Sequence, residues 1–224
     1  MLIRAVIIIS ILLSSVLLNG VSAKAQTFYT LNLDGCTGTC GTPPFGTVEV
    51  QAKSSTAVMV TLTLTQPGEQ IVEIIDTGAH YAFTFNLSNV TGTPTITNLS
   101  SPTFFAVAAP PGPFTQPNFG AFSNAIDCPG CGPGASNPNN PKILSFLVTD
   151  PSGLTPANFT SNGSAFFTAD ILGNNGKTGA VGTKMPNAPA TAPDPANMAL
   201  FGTGLIVIGA FVRKRLGWHH EPLR

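Results

Sequence analysis

Alternation of apolar and polar side chains is clearest in the stretch Val58-Met59-Val60-Thr61-Leu62-Thr63-Leu64-Thr65-Gln66. Successive side chains of a β-strand point to opposite faces, so this pattern predicts a strand with one buried and one wet face. Residues 46–53 and 27–33 alternate in the same way. Three strands are therefore predicted in the first third of the chain.

Five further strands are predicted at 70–75, 81–87, 94–99, 142–149 and 164–172. Turn-forming residues separate them at Pro67-Gly68, at 89–94 and at Gly173-Asn174-Asn175-Gly176. Eight short strands divided by turns predict an all-β fold, specifically a β-sandwich, with a jelly roll as one possible arrangement. Residues 109–140 are rich in Pro and Gly and are predicted to form a long surface loop.

Composition and charge narrow the class of protein. Charged residues make up 9% of the 224-residue chain, while Gly and Pro contribute 23 and 20 residues. This composition is too apolar for a disordered protein and too rich in turn-forming residues for a helical protein. Residues 26–192 contain eight acids and four lysines, a net charge of −4. We predict no nucleic-acid partner, because neutralising phosphates requires a basic surface.

The N-terminus has the three parts of an export signal. Arg4 precedes an apolar run at 5–18, and the small residues Ala23 and Ala25 follow it. We predict a signal peptide over residues 1–25, cut by signal peptidase before Gln26, with cleavage after Ala23 as the competing site. An uncleaved anchor is disfavoured because the apolar run is short for a membrane span.

The C-terminus carries a second apolar run, at residues 198–212. A stable single-pass helix needs about 20 residues, so this run predicts a short transmembrane helix that anchors weakly. Pro193-Asp194-Pro195 precedes it and Arg213-Lys214-Arg215 follows it. The positive-inside rule keeps that basic cluster cytoplasmic and leaves the bulk of the protein outside the membrane.

This layout resembles the PEP-CTERM sorting signal of Gram-negative bacteria, a Pro-Glu-Pro box followed by a short Gly-containing helix and a basic cluster. Within the resemblance, the box corresponds to Pro193, Asp194 and Pro195, the helix begins at Ala196 and includes Gly202, Gly204 and Gly209, and the basic stop is Arg213, Lys214 and Arg215. The resemblance implies processing by an exosortase, a membrane cysteine peptidase, after transient membrane attachment. It also implies an inner-membrane-anchored precursor that then reaches the cell surface or the extracellular matrix.

Two departures from that signal affect the prediction. Asp194 replaces the usual Glu, and residues 216–224 follow the basic cluster, where the family usually ends promptly. A plain C-terminal membrane anchor is the alternative.

The middle of the chain resembles a recurring group of PEP-CTERM ectodomains, a resemblance that implies no activity. It rests on residues 33–41, 82–87, 128–131 and 169–172. The predicted organisation is a signal peptide at 1–25, a β-sandwich ectodomain at 26–183, a Pro/Ala-rich linker with the Pro-Asp-Pro box at 184–195, a transmembrane sorting helix with its basic cluster at 196–215, and a cytoplasmic tail at 216–224.

The four cysteines form a Cys-x3-Cys and a Cys-x2-Cys pair. An even count in an exported chain favours disulfides, and we predict Cys36–Cys40 and Cys128–Cys131 among the three possible connectivities. A zinc site built from all four suits a reducing compartment better. A thioredoxin-like redox role needs a helix after the first cysteine, which the Pro and Gly residues around Cys131 oppose. No metal or cofactor is predicted.

Catalysis has little support in the sequence. His80 is the only histidine between residues 26 and 192; it follows the turn 77–79, with Asp76 nearby. Without a Gly-x-Ser-x-Gly elbow or a second histidine, a surface or core role is favoured over a catalytic base. Carboxylate pairs for glycoside hydrolysis stay open because their separation is spatial, but Glu49, Glu69 and Glu73 are predicted to be solvated strand-face charges.

Two kinds of ligand are compatible with the residues. Sugar binding would use exposed aromatic rings; Tyr29 and Tyr81 are the domain's tyrosines, Trp218 lies in the tail, and Phe114, Phe119 and Phe122 are candidates for exposure in the predicted loop. Calcium would need several oxygens, and Asp34, Asp127, Asp150 and Asp170 lie near turns, but no Asp-x-Asp-x-Asp loop is present.

The function predicted first is a non-catalytic structural or interaction protein of the cell surface or exopolysaccharide matrix. A carbohydrate-binding, lectin-like module is second, with an extracellular polysaccharide as partner, and a secreted hydrolase is third.

Overall fold

The computed structural model describes residues 25–65, 72–109, 112–131, 137 and 139–187. This part of the chain is all β apart from one short 3₁₀ turn, Pro156–Asn158. The strands are β1 (Gln26–Leu31), β2 (Leu33–Asp34), β3 (Gly46–Ser54), β4 (Ala57–Leu64), β5 (Glu73–Ile74), β6 (Phe83–Leu87), β7 (Thr95–Thr97), β8 (Ala106–Val107), β9 (Phe114–Gln116), β10 (Gly120–Phe122), β11 (Asn124–Asp127), β12 (Ile143–Thr149), β13 (Phe159–Thr160), β14 (Phe167–Leu172) and β15 (Thr178–Gly182). The predicted signal-peptide and sorting helices lie outside the described residues.

The first sheet has five antiparallel strands in the order β1-β3-β4-β12-β7. Its centre is built on the alternation seen in the sequence. The residues of β4 at positions 58, 60, 62 and 64 are buried, and Val60 stands opposite Val50 of β3 and Phe146 of β12. In the described residues the predicted strands at 46–53, 58–66 and 142–149 are confirmed as β3, β4 and β12, and in each of them the buried residues recur at every second position, which places them on one face.

The second sheet has eight strands along the path β2-β15-β14-β6-β11-β8, with β13 also paired to β6 and β5 to β14. A separate hairpin joins β9 and β10. The two larger sheets share one hydrophobic core. Phe146 of the first sheet lies 5.8 Å from Phe83 and 5.7 Å from Phe85 of the second, measured between ring centroids.

One edge of β14 pairs with two different strands. Its first half pairs with β6 and its second half with β5, and Asp170 lies between the two halves. The loop at 75–82 leaves the ladder here. Asp170 still bonds to both ends of that loop, because Ile75 N–H donates to its carbonyl (3.0 Å) and its own N–H donates to the carbonyl of Ala82 (3.2 Å). The ladder therefore has a gap, and the Asp170 side chain is placed at it.

The prediction of one long surface loop at 109–140 is wrong. β9, β10 and β11 fall inside it, and β11 pairs with both β6 and β8. Phe114, Phe119 and Phe122 are 7%, 5% and 1% exposed, so the expected exposed rings are in fact core. Each strand here has only three or four residues, which is too short for an alternation to stand out among the prolines and glycines.

The described fold continues past residue 183, the predicted end of the ectodomain, into the predicted linker at 184–195. Pro186 forms a bridge to Tyr29, and Asn187 N–H donates to the carbonyl of Phe28 at 2.7 Å. Pro186 and Asn187 thus lie along the edge of β1. Covering an edge strand in this way removes unpaired backbone groups that would otherwise invite another chain.

Candidate functional site

Both predicted cysteine pairs lie at disulfide distance. The Cα atoms are 5.6 Å apart in Cys36–Cys40 and 5.3 Å apart in Cys128–Cys131, with each sulfur bonded to its partner. This pairing leaves no thiolate among them for a zinc site. Cys40, Cys128 and Cys131 are also buried, which disfavours thiol exchange because an attacking thiolate needs access to the sulfur.

Asp34 organises the first disulfide loop. Its Oδ1 accepts the N–H of Cys36 (2.9 Å), and its Oδ2 accepts the N–H of Cys40 (3.1 Å) and the hydroxyl of Thr39. Asp34, Cys36 and Cys40 are the one group in the described ranges whose metal-ligand atoms converge. Because both sulfurs are in a disulfide, this convergence reflects a braced loop.

A buried carboxylate holds the only histidine of the domain. Asp170 is fully buried; its Oδ2 accepts both the N–H and the hydroxyl of Thr77 at 2.7 Å, and its Oδ1 lies 3.0 Å from Nδ1 of His80. His80 keeps 21% of its side chain exposed. The Asp170 carboxylate therefore fastens the loop at 75–82 across the gap in the ladder, and a charge buried this deeply needs such donors.

Two further acids lie beside this pair. Asp76 Oδ2 accepts the N–H of Cys128 at 2.9 Å, which ties the 75–82 loop to the second disulfide. Burial raises the pKa of Asp76, and the charge of Asp170 adds to the effect. Burial also raises the pKa of Asp127, with the charge of Asp76 adding to it. The hydrogen bond to Asp170 raises the pKa of His80, against the opposing effect of burial.

The His80–Asp170 pair contains two of the three parts of a hydrolytic triad, an imidazole and the carboxylate that orients it. A nucleophile is the third part, and no hydroxyl or thiol in the described residues hydrogen-bonds to His80 Nε2. What the geometry supports is bracing of two loops. Sequence proximity pointed to Asp76 as the partner of His80, whereas the bonded partner is Asp170, 90 positions away.

This cluster predicts that the domain is more stable at mildly acidic than at alkaline pH. A raised histidine pKa contributes stability that is complete below about 6.5 and is lost as the pH rises through the folded-state value. The raised pKa values of Asp76 and Asp127 act in the same direction, because ionising them costs more in the folded state. Thermal unfolding of the full chain, purified in a mild detergent, should show a higher Tm at pH 5 than at pH 8.

His80→Gln is the matched control for this effect. It keeps a polar side chain but removes the titration, so the difference in Tm between the two pH values should shrink. Asp150 does not contribute to this pH difference. Hydrogen bonds from Ser152 lower the pKa of Asp150, so its carboxylate is ionised at both pH values. An unfolding temperature that rises from pH 5 to pH 8 in the unmodified chain would contradict the prediction.

The aspartates considered for calcium are not brought together. Asp34 and Asp170 are occupied by the donors described above, and Asp150 Oδ1 accepts the N–H (2.8 Å) and hydroxyl (2.5 Å) of Ser152. Asp127 belongs to no converging ligand group in the part of the chain that the structure describes. The four aspartates do not converge in the described residues, so the calcium hypothesis gains no support from the geometry.

The carboxylates considered for glycoside hydrolysis lie on different sheets. Glu49 is on β3 and accepts a hydrogen bond from Gln26 at 2.7 Å, while Glu73 is on β5. Glu73 is only 8% exposed, so its prediction as a solvated charge is wrong. Burial raises its pKa, partly offset by the charge of Lys142. Glu69 lies outside the described residues.

The aromatic side chains named for sugar stacking do not form an exposed platform. Tyr29 is 2% exposed, and burial raises its pKa to about 12. Tyr81 packs edge-on against Phe114 at 5.2 Å. An apolar groove of 450 Å³ beside β1 is lined in part by Tyr29, Phe159 and Phe166, and a polar cavity of 360 Å³ lies beside Asp34. Trp218 lies outside the described residues.

The predicted sorting residues, Pro193 to Ala196, Gly202, Gly204, Gly209 and Arg213 to Arg215, lie outside the described residues, as does Ala23. Ala25 and Gln26 lie inside them, and β1 begins at Gln26.

Within the described ranges, no helix is long and apolar enough to cross a membrane. Comparison of the chain with protein-family models, curated proteins and solved structures gave no match.

Proposed function

We propose that this chain is an exported, non-catalytic structural or interaction protein of the Gram-negative cell surface or exopolysaccharide matrix. In this proposal a signal peptidase removes residues 1–25 and an exosortase acts at the Pro-Asp-Pro box. The ectodomain is then displayed outside the cell, attached only transiently to the membrane. The proposed route rests on the resemblance of the tail to the PEP-CTERM signal, and the architecture of the domain is compatible with it.

The observation that carries the proposal is where the first described strand begins. β1 pairs with β3 from Gln26, opposite Gln51, to Leu31, opposite Gly46. Cleavage before Gln26 would remove only one described backbone hydrogen bond, from Ala52 N–H to the carbonyl of Ala25. A chain cut there would keep the whole β1–β3 ladder, as a processed exported domain must.

The shared core supports a β-sandwich as the form of the ectodomain. Inward side chains of both larger sheets pack into one cluster around Phe83, Phe85 and Phe146. Two sheets packed face to face over one core define a sandwich, and a jelly roll is one such arrangement. The two disulfide loops and the Asp170 carboxylate add local bracing, which suits a domain that displays a surface.

The sorting proposal is tested at the C-terminus. Replacing Pro193-Asp194-Pro195 by three alanines should leave export intact and abolish removal of the tail, because the exosortase would lose its recognition box. Mass spectrometry of the exported protein reads the mature C-terminus directly, in hosts with and without the exosortase.

Pro189→Ala is the control, because it changes a proline of the same segment outside the box and should leave processing unchanged. An exported protein that retains Arg224 while the box is intact would replace the sorting proposal with a permanent anchor.

A lectin-like module is the second candidate function, and the polar cavity beside Asp34 favours it. A secreted hydrolase is third, because His80 and Asp170 brace a loop and lack a described nucleophile.

A further inference from the structure

A small polar cavity opens where several connecting segments of the second sheet meet the β9–β10 hairpin. Its volume is 360 Å³, at the lower end of the range of about 300–1,000 Å³ that is typical of ligand pockets. That size suits one compact ligand, such as a single sugar ring. The lining residues are Leu33, Asp34, Gly35, Asn118, Phe119, Gly163, Ser164 and Lys184.

The cavity is lined by charges of both signs that do not form an ion pair with each other in the described residues. Asp34 and Lys184 are both exposed and both line it, but the ion pair found in the described ranges is His80–Asp170. The Asp34 carboxylate has three protein donors, two on Oδ2 and one on Oδ1, so Oδ1 keeps one acceptor position. Lys184 brings a charged donor.

The walls of the cavity are held by hydrogen bonds to one another. Asn118 Nδ2 donates to the carbonyl of Gly35 at 2.6 Å, and Asn162 Nδ2 donates to the carbonyl of Phe119 at 2.7 Å. Gly35 is required here because a Cβ at this position would lie 2.6 Å from Cε2 of Phe119. A cavity braced in this way loses little entropy when it binds a ligand.

The remaining polar groups of the lining residues include both acceptors and donors. The Asn118 amide oxygen and the free position on Asp34 Oδ1 accept, while the Ser164 hydroxyl and the Lys184 ammonium donate. Vicinal sugar hydroxyls both donate and accept, so a pyranose can satisfy this set, whereas a purely apolar ligand would leave it unpaired. We propose that this cavity binds a pyranose residue of an extracellular glycan.

This inference rests on the proposed function, because it names the ligand class through which the ectodomain would interact with a matrix. The two can fail separately. The sorting experiment reads the mature C-terminus of the chain, whereas the cavity is tested by binding alone.

The test is saturation-transfer NMR on the full chain in a mild detergent, with the methyl glycosides of glucose, mannose, galactose and glucuronic acid as probes. At least one glycoside should bind. Ser164→Trp should abolish binding, because the indole fills the cavity from an exposed position. Lys184→Gln should weaken it about tenfold, the usual cost of losing one charged hydrogen bond. Lys177→Gln, an exposed lysine outside the cavity, should change nothing.

Selective binding of the neutral glycosides would identify a neutral glycan. Binding of the glucuronide that depends on Lys184 would identify an acidic one. Absence of binding by all four probes would overturn the proposal, as would binding that Ser164→Trp leaves unchanged.

Discussion

Replacing Asp170 by alanine is expected to lower the free energy of unfolding of the domain by about 3–5 kcal/mol, because three hydrogen bonds to a buried carboxylate are lost together. The change leaves the Thr77 N–H and hydroxyl and the His80 Nδ1 without their acceptor at a fully buried position. Small proteins are stable by about 5–15 kcal/mol, so the loss would be a large fraction of the total. Urea denaturation of the full chain in a mild detergent measures it.

Two variants distinguish this explanation from a general loss of stability on removing any acidic side chain. Asp170→Asn keeps the shape and one acceptor oxygen, so it should cost clearly less than alanine. Asp127→Asn removes a half-buried acid whose pKa burial raises, so it should be neutral or slightly stabilising. If Asp170→Ala costs no more than Asp127→Asn, the carboxylate does not fasten the 75–82 loop.

Replacing Phe146 by alanine is expected to cost about 3–5 kcal/mol as well, for a different reason. Phe146 lies on β12, is fully buried, and contacts Phe83 and Phe85 of the opposite sheet at ring-centroid distances of 5.8 and 5.7 Å. Its loss would leave a cavity at the centre of the shared core. The same urea titration measures the change.

The neighbouring residue provides the control. Leu147 is next on β12, but it points to the opposite face and is only half-buried, so Leu147→Ala should cost much less. Phe146→Leu keeps most of the volume and should cost less than about 1.5 kcal/mol. Equal losses for Phe146→Ala and Leu147→Ala would mean that β12 does not present one face to the core.

The first sheet could be predicted because its strands are long and regular. Along β3, β4 and β12 the buried apolar residues recur at every second position, and one buried face fixes both strand and register. The strands of the second sheet have a weaker sequence pattern. β14 is buried along nearly its whole length, and β15 contains two glycines, which weaken the strand signal. Strands of two to four residues, such as β8 and β9, carry no readable period.

Only part of the candidate site could be predicted from the sequence. His80 and Asp76 stood out as a lone histidine with an acid nearby, yet sequence distance says nothing about contact across a sheet. A usable signal was present in Ala169-Asp170-Ile171, an acid inside an apolar strand, because such an acid must find buried donors. The polar cavity could not have been foreseen, since its residues come from segments far apart in the chain.

The contact between Asn187 and Phe28 brings the two ends of the described domain together. A short linker could therefore join Asn187 to Gln26 and close the domain into a ring. Closing such a short loop costs little entropy. The positions of the chain ends can then be changed without changing the fold. A circular permutant could carry its new ends in the turn around Asn175 and keep the same sheets. Such a chain could be inserted into another protein through two adjacent connections.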